Sequence, residues 1–322
     1  MELTILTGRA HPELARAIAR GVNRELGGVR IAPFADGELD VQILTNIRQH
    51  HVVIVQPTPP PAENWIELLL LIDAARRSSV KEITVVMPYM GYARQDRKDA
   101  SRKPISAARM LKLLMGSGAN RILTIDVHSS QTQGMIDEPF DNLFFSAELL
   151  RHVPDVNWRR VVLVSPDAGG VARCRAIAKR LGCPVALIDK RRDRANVSEV
   201  MHVVGDVRGR DAILLDDMVD TAGSLVKAAD AVLACGARTV SACCTHPVLS
   251  PKSVARLRRS RLKTFVVADT IPVSHKKRKG IGRKLHVASC AGMLGEAIVR
   301  IHAGESLSQL FDDSLNLVSG TS

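Results

Sequence analysis

The feature that most restricts the fold of this chain is a two-beat rhythm. Short runs rich in Val, Ile, Leu and Thr alternate with longer segments of helical periodicity. The first half reads LTILTG then HPELARAIARGVNREL, HVVIVQ then AENWIELLLLIDAARRSS, EITVVMPY then SAARMLKLLMGSGA, and then RILTIDV. Short apolar runs bounded by turn residues read as buried strands, and helices between them carry the chain back to the starting edge, so the strands pair in parallel. The rhythm then restarts. VVLVSP leads to GGVARCRAIAKRLG, VALIDK follows, AILLDD leads to SLVKAADAVLACGA, and TVSACCTH and TFVVADT supply further strands. The expectation is an α/β protein of two domains, each a mostly parallel sheet flanked by helices. With 322 residues there is enough chain for two cores. The stretch HVPDVNWRR, 152–160, breaks the pattern with Pro, Asp and Asn, which sets the expected domains at 1–149 and 150–322.

Composition narrows the partners. Aromatic residues are only 3% of the chain against 46% hydrophobic, so aliphatic side chains fill the cores and few rings are left to stack on bases. A formal charge of +12 favours an anionic partner, whether nucleotide, sugar phosphate or nucleic acid, by long-range attraction, and the scarcity of rings leads to the expectation of no nucleic-acid partner. The six cysteines form no CxxC pair, which reads as reduced thiols in a cytoplasmic protein. The opening MELTILTG lacks the basic start and apolar core of a secretory leader, and IELLLLIDAA is too short to span a bilayer, so no membrane partner is expected.

Ligands of open α/β sheets bind beyond the carboxyl ends of the strands. In ILLDDMVDTAGSL, 213–225, a strand delivers Asp216 and Asp217 to that edge, and the turn through Asp220, Thr221, Ala222, Gly223 and Ser224 opens a helix. Amide hydrogens and the helix dipole there suit a phosphate, while the carboxylates accept hydrogen bonds from sugar hydroxyls. An ordinary strand-turn-helix capped by Asp, Thr or Ser has the same residues, and taken alone the two readings are even. The connection MGYARQDRKDASRKPIS, 90–106, is long and aperiodic. Its Arg94, Arg97, Lys98, Arg102 and Lys103 suit a lid that closes over a polyphosphate, although a solvated loop would look similar. In ILTIDVHSSQTQG, alternation puts Asp126 and His128 on one strand face with His128 at its end, where a lone histidine is more often a core residue than a ligand. VVLVSPDAGG places Asp167 at a strand end, and VALIDKRRDRANVSEVM places Lys190 and Arg192 just past another, in a run that alone reads as a wet basic face. FADGELDV, 34–41, holds Phe34, Asp36, Gly37 and Glu38 in an Asp-Gly turn, and SHKKRKGIGRK, 274–284, reads as a basic surface loop between strands.

DDMVDTAGS resembles the ribose 5-phosphate loop shared by phosphoribosyltransferases and ribose-phosphate pyrophosphokinases, also called phosphoribosyl pyrophosphate synthetases. YARQDRK with SRKPIS, and FADGE, resemble the pyrophosphokinases specifically. The resemblance runs from about residue 3 to Phe311 with its motifs in order. It implies two phosphoribosyltransferase-type domains and a homo-oligomer built from dimers, of the hexameric kind. It also implies a reaction in which ribose 5-phosphate and magnesium ATP give phosphoribosyl pyrophosphate and AMP.

By the same resemblance Asp216, Asp217 and the 220–224 turn hold ribose 5-phosphate. Phe34, Asp36, Gly37, Glu38, Arg94 and Gln95 hold ATP, His128 and Asp167 lie at Mg2+, and Lys190 and Arg192 stabilise the transferring group. The alternatives are a phosphoribosyltransferase, which needs neither the RQDRK lid nor FADGE, and a non-catalytic regulatory homologue, which would lose key charges. Departures from the family pattern are Ala222 for a frequent Gly, Ser224 for Thr, and Val127, Ser129, Ser130 and Thr132 around His128. Met135 and Ile136 stand in place of an aromatic pair. Arg48, Ser78, Ser79 and Pro251 stand where the family senses phosphate, so phosphate activation and ADP inhibition are expected to differ.

Overall fold

In the computed structural model, which describes residues 1–191, 200–308 and 310, the chain divides into two compact units. The first comprises Met1–Phe144, Thr270–Pro272 and Ser289–Leu310. Its strands are β1 (Leu3–Thr7), β2 (Val29–Pro33), β3 (Leu39–Ile43), β4 (His51–Val55), β5 (Glu82–Met87), β6 (Arg121–Ile125) and β7 (Phe140–Leu143). Its first helices are α1 (Pro12–Gly21), α2 (Glu63–Arg77) and α3 (Ser106–Ser117). Five strands make one parallel sheet in the order β1-β4-β5-β6-β7, and β2 pairs with β3 as a separate antiparallel hairpin. The sheet is covered on one side by α2 and α3, whose Trp65, Leu68, Leu71, Leu111 and Leu114 pack onto Val52, Ile54, Val85 and Ile122.

Local chemistry sets the limits of these elements. Pro12 opens α1 where a missing amide hydrogen costs nothing, His11 Nδ1 accepts from the Leu14 amide at 3.3 Å, and Arg20 sits in the last turn. The helix stops earlier than the apolar period suggests because Asn23 turns left-handed (φ +54°), and Gly27 then hydrogen-bonds Ile5 at 2.8 Å. In α2 the one buried carboxylate, Glu67, is matched by Arg9 Nε at 2.6 Å and Gln56 Nε2 at 3.0 Å.

Among the described residues the second unit comprises Phe145–Asp269 and Val273–Ala288. It contains α4 (Ser146–Arg151), β8 (Val161–Ser165), α5 (Val171–Leu181), β9 (Val185–Arg191), β10 (Val200–Val204), β11 (Asp211–Val219), α6 (Gly223–Ala234), β12 (Thr239–Pro247), α7 (Pro251–Arg259), β13 (Phe265–Ala268), α8 (His275–Ile281) and β14 (Leu285–Ala288). The last helix, α9 (Ala291–Ala303), belongs to the first unit, where it packs on α1. The second sheet runs β10-β9-β8-β11-β12-β13-β14 and is parallel apart from the antiparallel edge pair β9–β10. Asp211 opens β11 opposite Thr239, accepting from Thr239 Oγ1 at 2.6 Å and from Arg238 Nε at 2.9 Å, which pins the register of the central pair.

Two sheets with helices on their faces are the architecture the rhythm predicts. The units differ from the expected boundaries in three places: the first ends at Phe144, and both Thr270–Pro272 and 289–310 return to it, the latter carrying α9. The return is explained by the apolar stripe Leu294, Ala297 and Ile298 of α9, which is buried in the first unit. The basic stretch 274–284 is no loop between strands. It forms α8, with Ser274 accepting the Lys277 amide hydrogen, followed by the start of β14.

Candidate active site

Parallel pairing puts the carboxyl ends of β8, β9, β11 and β12 on one edge of the second sheet. Leu163 is level with both Val185 and Ile213, and Ser165 is level with Leu187, so Asp167, Lys190 and Asp216 all come beyond the stretches in which β8 pairs with its two neighbours. Asp167 is held by its own loop: its Oδ1 accepts the Gly170 amide at 3.0 Å, and its carbonyl accepts Ser165 Oγ at 2.6 Å. Asp216 lies in β11 and Asp217 is buried beside it, with the Asp217 amide donating to Asp216 Oδ1 at 2.9 Å. Burial pushes the Asp216 carboxyl well above the usual carboxylate range, and the charges of Asp217 and Asp167 push it further in the same direction. The three carboxylates therefore form one mutually repelling group, which a cation or a set of hydroxyl donors would relieve. The neighbouring thiol of Cys174 is pushed by burial up to about 12, so it is no nucleophile.

Past β11 the chain turns into α6 through residues 220–224. The turn is closed by Ala222, which is buried and left-handed (φ +60°, ψ +8°). An L-residue with a Cβ adopts that conformation only at a cost, so the family's frequent Gly has a physical reason and Ala222 retains the geometry under strain. The Asp220 carbonyl accepts the Ser250 amide at 3.1 Å, and the Thr221 carbonyl accepts Arg256 Nη1 at 3.0 Å. Thr221 and Ser224 are exposed at the start of α6, where helix geometry leaves amide hydrogens without intrahelical partners. Arg256 has no place in the motif reading: it comes from α7, and only the tertiary fold brings it to the turn.

Lys190 lies within β9, opposite Met201 of β10, and not past the strand end; the turn to β10 comes later than the apolar pattern suggests. Arg192 lies outside the described residues.

In the first unit His128 is exposed beyond the carboxyl end of β6. Strand alternation does not reach it. β6 ends at Ile125, Asp126 is fully buried with φ +41°, and the Val127 amide donates to Asn142 Oδ1 at 2.9 Å, so the phase of the pleat is lost before His128. Met135 and Ile136 pack against the first core, filling the place of the aromatic pair.

The connection 88–105 is irregular, and Arg94, Gln95, Arg97, Lys98, Arg102 and Lys103 are all exposed. Its base is fixed. Gly91 donates to Thr58 Oγ1 at 2.9 Å, Met90 and Ala93 are buried, and Gln95 binds the start of α3 through Ser106 Oγ at 2.6 Å. Lys103 pairs with Asp99 at 3.0 Å. On the β2–β3 hairpin, Phe34 and Glu38 are bonded at 2.7 Å, Asp36 Oδ1 accepts the Glu38 amide at 3.1 Å, and Gly37 takes φ +97°. This turn leaves the Phe34 ring 56% exposed.

Residues 3–118 match the N-terminal domain of ribose phosphate pyrophosphokinase, and residues 192–312 match the phosphoribosyl synthetase-associated domain. The chain is 47% identical to ribose-phosphate pyrophosphokinase of Agrobacterium fabrum, over 96% of this chain and 100% of that one. It is 46% identical to chloroplastic ribose-phosphate pyrophosphokinase 2 of Spinacia oleracea, over 96% of this chain and 78% of that one. The crystal structure of phosphoribosylpyrophosphate synthetase from Mycobacterium smegmatis superposes with a TM-score of 0.88 at 35% identity, covering 94% of this chain and 100% of that one. With nearly its whole length matched in sequence and in fold, the chain belongs to the ribose-phosphate pyrophosphokinase family.

Proposed function

We propose that the protein is a ribose-phosphate diphosphokinase, which transfers the β,γ-pyrophosphoryl group of magnesium ATP to the 1-hydroxyl of ribose 5-phosphate. The observation that carries the reading is the juxtaposition on the second sheet of an acidic group and a helix-opening turn. Asp216 and Asp217 accept the hydroxyls of the pentose, and 220–224 receives its 5-phosphate at the start of α6. In the transfer the anomeric oxygen bonds to the β-phosphorus, and the bond from that phosphorus to the bridging oxygen of the α-phosphate breaks. AMP departs with that oxygen, and the hydroxyl proton passes to a base that no residue here identifies.

Such a reaction needs alignment and neutralisation of charge more than covalent participation by the protein. The exposed cations of 94–103 cover the polyphosphate and exclude water, Phe34 stacks on adenine with Asp36, Gly37 and Glu38 at its polar edges, and Arg94 and Gln95 hold the nucleotide. Lys190 and Arg192 meet the charge that grows on the transferring group.

The donor set suits Mg2+. Carboxylate oxygen is the ligand this ion prefers, and burial with the neighbouring charges of Asp217 and Asp167 holds the Asp216 carboxyl raised, which a cation would relieve. Among the described residues no group of three or more His, Cys, Asp or Glu side chains is placed to hold a metal ion by itself. In the proposed reading the ion would be carried mainly by the substrate phosphates, with His128 and Asp167 as the residues at it. When bound, the ion screens the phosphate oxygens against the incoming hydroxyl.

We further assign the working form to a dimer-based, hexameric homo-oligomer in the cytoplasm. The outward Phe34 ring supports the first assignment, being placed to reach a neighbouring copy. For the second, no helix among the described residues is long and apolar enough to cross a membrane.

Phosphorus NMR of the protein with ATP, ribose 5-phosphate and Mg2+ tests the reaction. AMP and a new diphosphate doublet pair are expected, and release of ADP would place the cleaved bond elsewhere and overturn the assignment.

A further inference from the structure

Three consecutive carbonyls at the exit from β11 are taken by one segment, 249–256. The Leu249 amide donates to the Val219 carbonyl at 3.0 Å, the Ser250 amide to the Asp220 carbonyl at 3.1 Å, and Arg256 Nη1 to the Thr221 carbonyl at 3.0 Å. In a planar trans peptide the C=O of one residue and the N–H of the next point in opposite directions. Carbonyls turned towards 249–256 therefore turn the amide hydrogens of Asp220, Thr221 and Ala222 to the other side. Among the described residues the Thr221 and Ala222 amides donate to no protein group. The direction of the donors that a 5-phosphate would meet is thus set from behind the turn.

The segment that sets it is itself anchored. Leu249 is buried with φ +49°, the bend that lays residues 249 and 250 alongside 219 and 220. Lys277 Nζ of α8 donates to the Val248 carbonyl at 3.3 Å, and Lys284 Nζ takes the Leu257, Arg258 and Ser260 carbonyls at the end of α7 at 3.2, 3.4 and 2.8 Å. Gly280 lets α8 close on α7, since a Cβ there would come within 2.5 Å of Val254 Cγ1.

Two of the three donors to the turn are backbone groups, which most substitutions leave in place. The third depends on a single side chain. Arginines in the last turn of a helix commonly compensate its carbonyl end, but Lys284 already does so for α7. Nor is Arg256 drawn into an ion pair among the described residues. Its charged donor is directed at the Thr221 carbonyl, where such a hydrogen bond is stronger than one between neutral groups.

We propose that Arg256 is a positioning residue for the acceptor: by holding the Thr221 carbonyl it aims the Ala222 amide hydrogen at the 5-phosphate, acting through the backbone of the turn. This role rests on the function proposed above.

The test uses four variants. Arg256→Met and Arg256→Gln lack the guanidinium that reaches Thr221, and Arg256→Lys keeps a charged donor. Arg258→Met removes the same charge from the same helix at a residue with no bond to the turn. Arg256 is exposed, so equal Tm is expected and is measured for each, and either of the two short variants serves if the other is unstable. Titration calorimetry with ribose 5-phosphate alone is expected to show affinity about tenfold weaker in Arg256→Met and Arg256→Gln, the scale of one charged hydrogen bond. Arg256→Lys recovers part of the loss, and Arg258→Met matches wild type. In turnover the KM for ribose 5-phosphate rises by the same factor while kcat and the KM for ATP hold, because a grip on the distant phosphate is equal in ground and transition states.

Wild-type affinity in Arg256→Met and Arg256→Gln would overturn the positioning role. So would an equal loss in Arg258→Met, which would show that net charge alone draws the phosphate in, or loss of the fold in all three Arg256 variants, which would assign the residue to stability. Wild type that does not bind ribose 5-phosphate removes the proposed function and this role together. Wild type that binds it and releases no AMP removes the diphosphokinase assignment and leaves the binding comparison standing.

Discussion

Ala222 shows how one side chain can carry the memory of a glycine. Its positive φ is imposed by the sharp exit from β11 into α6, and its methyl group is buried in the second core. Ala222→Gly removes a steric cost of about 1–2 kcal/mol, offset in part by the greater freedom of glycine in the unfolded chain. The expected net gain is up to about 1 kcal/mol, read as a rise of a few degrees in Tm. Ala222→Val, with a branched Cβ in the same conformation, is expected to destabilise. A Val variant as stable as wild type would show that the turn is not left-handed in solution. At Lys190 the expected loss is kinetic: Lys190→Ala lowers kcat by about 10², the scale of a preorganised charge removed from a transition state. A change confined to KM would instead assign Lys190 to ground-state binding.

At the scale of elements, the loop over 88–105 joins an irregular, cation-bearing span to a rigid foot. A Cβ on Gly91 would run into the Thr58 carbonyl and come within 3.0 Å of Trp65 Nε1, a backbone atom and a buried ring that cannot step aside. Gly91→Ala should therefore cost about 1–3 kcal/mol in denaturant unfolding. Gly116→Ala, on α3 with open space around it, should be neutral or stabilising. Equal effects at the two positions would contradict the described foot.

The same scale shows what the sequence made legible. The strands β1, β4, β5, β6, β8, β9, β11, β12 and β13 were readable because each is a dense apolar run between turns. β7, β10 and β14 were not: FDNL, VMHVV and LHVA are short, carry polar residues and lie at or next to a sheet edge, where pairing and not periodicity makes the strand. The helix α8 was hidden by its charge, since its Lys277 is held by the Val248 carbonyl at 3.3 Å, a contact between distant segments. Local motifs likewise pointed to Asp167, Asp216 and Asp217, whose approach follows from strand order. Arg256 could not be read that way, because nothing within its own helix signals the turn it reaches.

At the scale of the whole molecule, the first unit is closed by a helix made near the end of the chain. His302 of α9 stacks on the buried His51 of β4, with ring centres 5.3 Å apart and Nδ1 atoms at 3.1 Å, while His51 Nε2 meets Thr84 Oγ1 at 2.8 Å. The short Nδ1 contact needs one donor and one acceptor, so the two rings cannot both be protonated while it holds. Burial lowers the His51 pKa from the ordinary 6.5. The charges of His302 and Arg121 lower it further, and Glu82 alone opposes them. A base with a depressed pKa in the fold binds its proton more readily when unfolded. Its contribution to stability is therefore complete above 6.5 and is lost as pH falls through the lower folded value. Tm is expected to fall as pH drops from 6.5 towards the lower folded value, and His302→Leu should flatten the decline. An unchanged pH profile in the variant would place the sensitivity elsewhere.

The return of α9 bears on how the protein is made. A ribosome emits the sheet of the first unit early, yet the helix that seals the α1 side is Ala291–Ala303 and emerges only after the second sheet has left the exit tunnel. The leading half must wait, partly built and greasy on one flank, while the trailing half matures. Chaperone demand during translation should thus be greatest in the interval before those last turns appear, and a stop codon just ahead of them would orphan the half of the protein that was synthesised first.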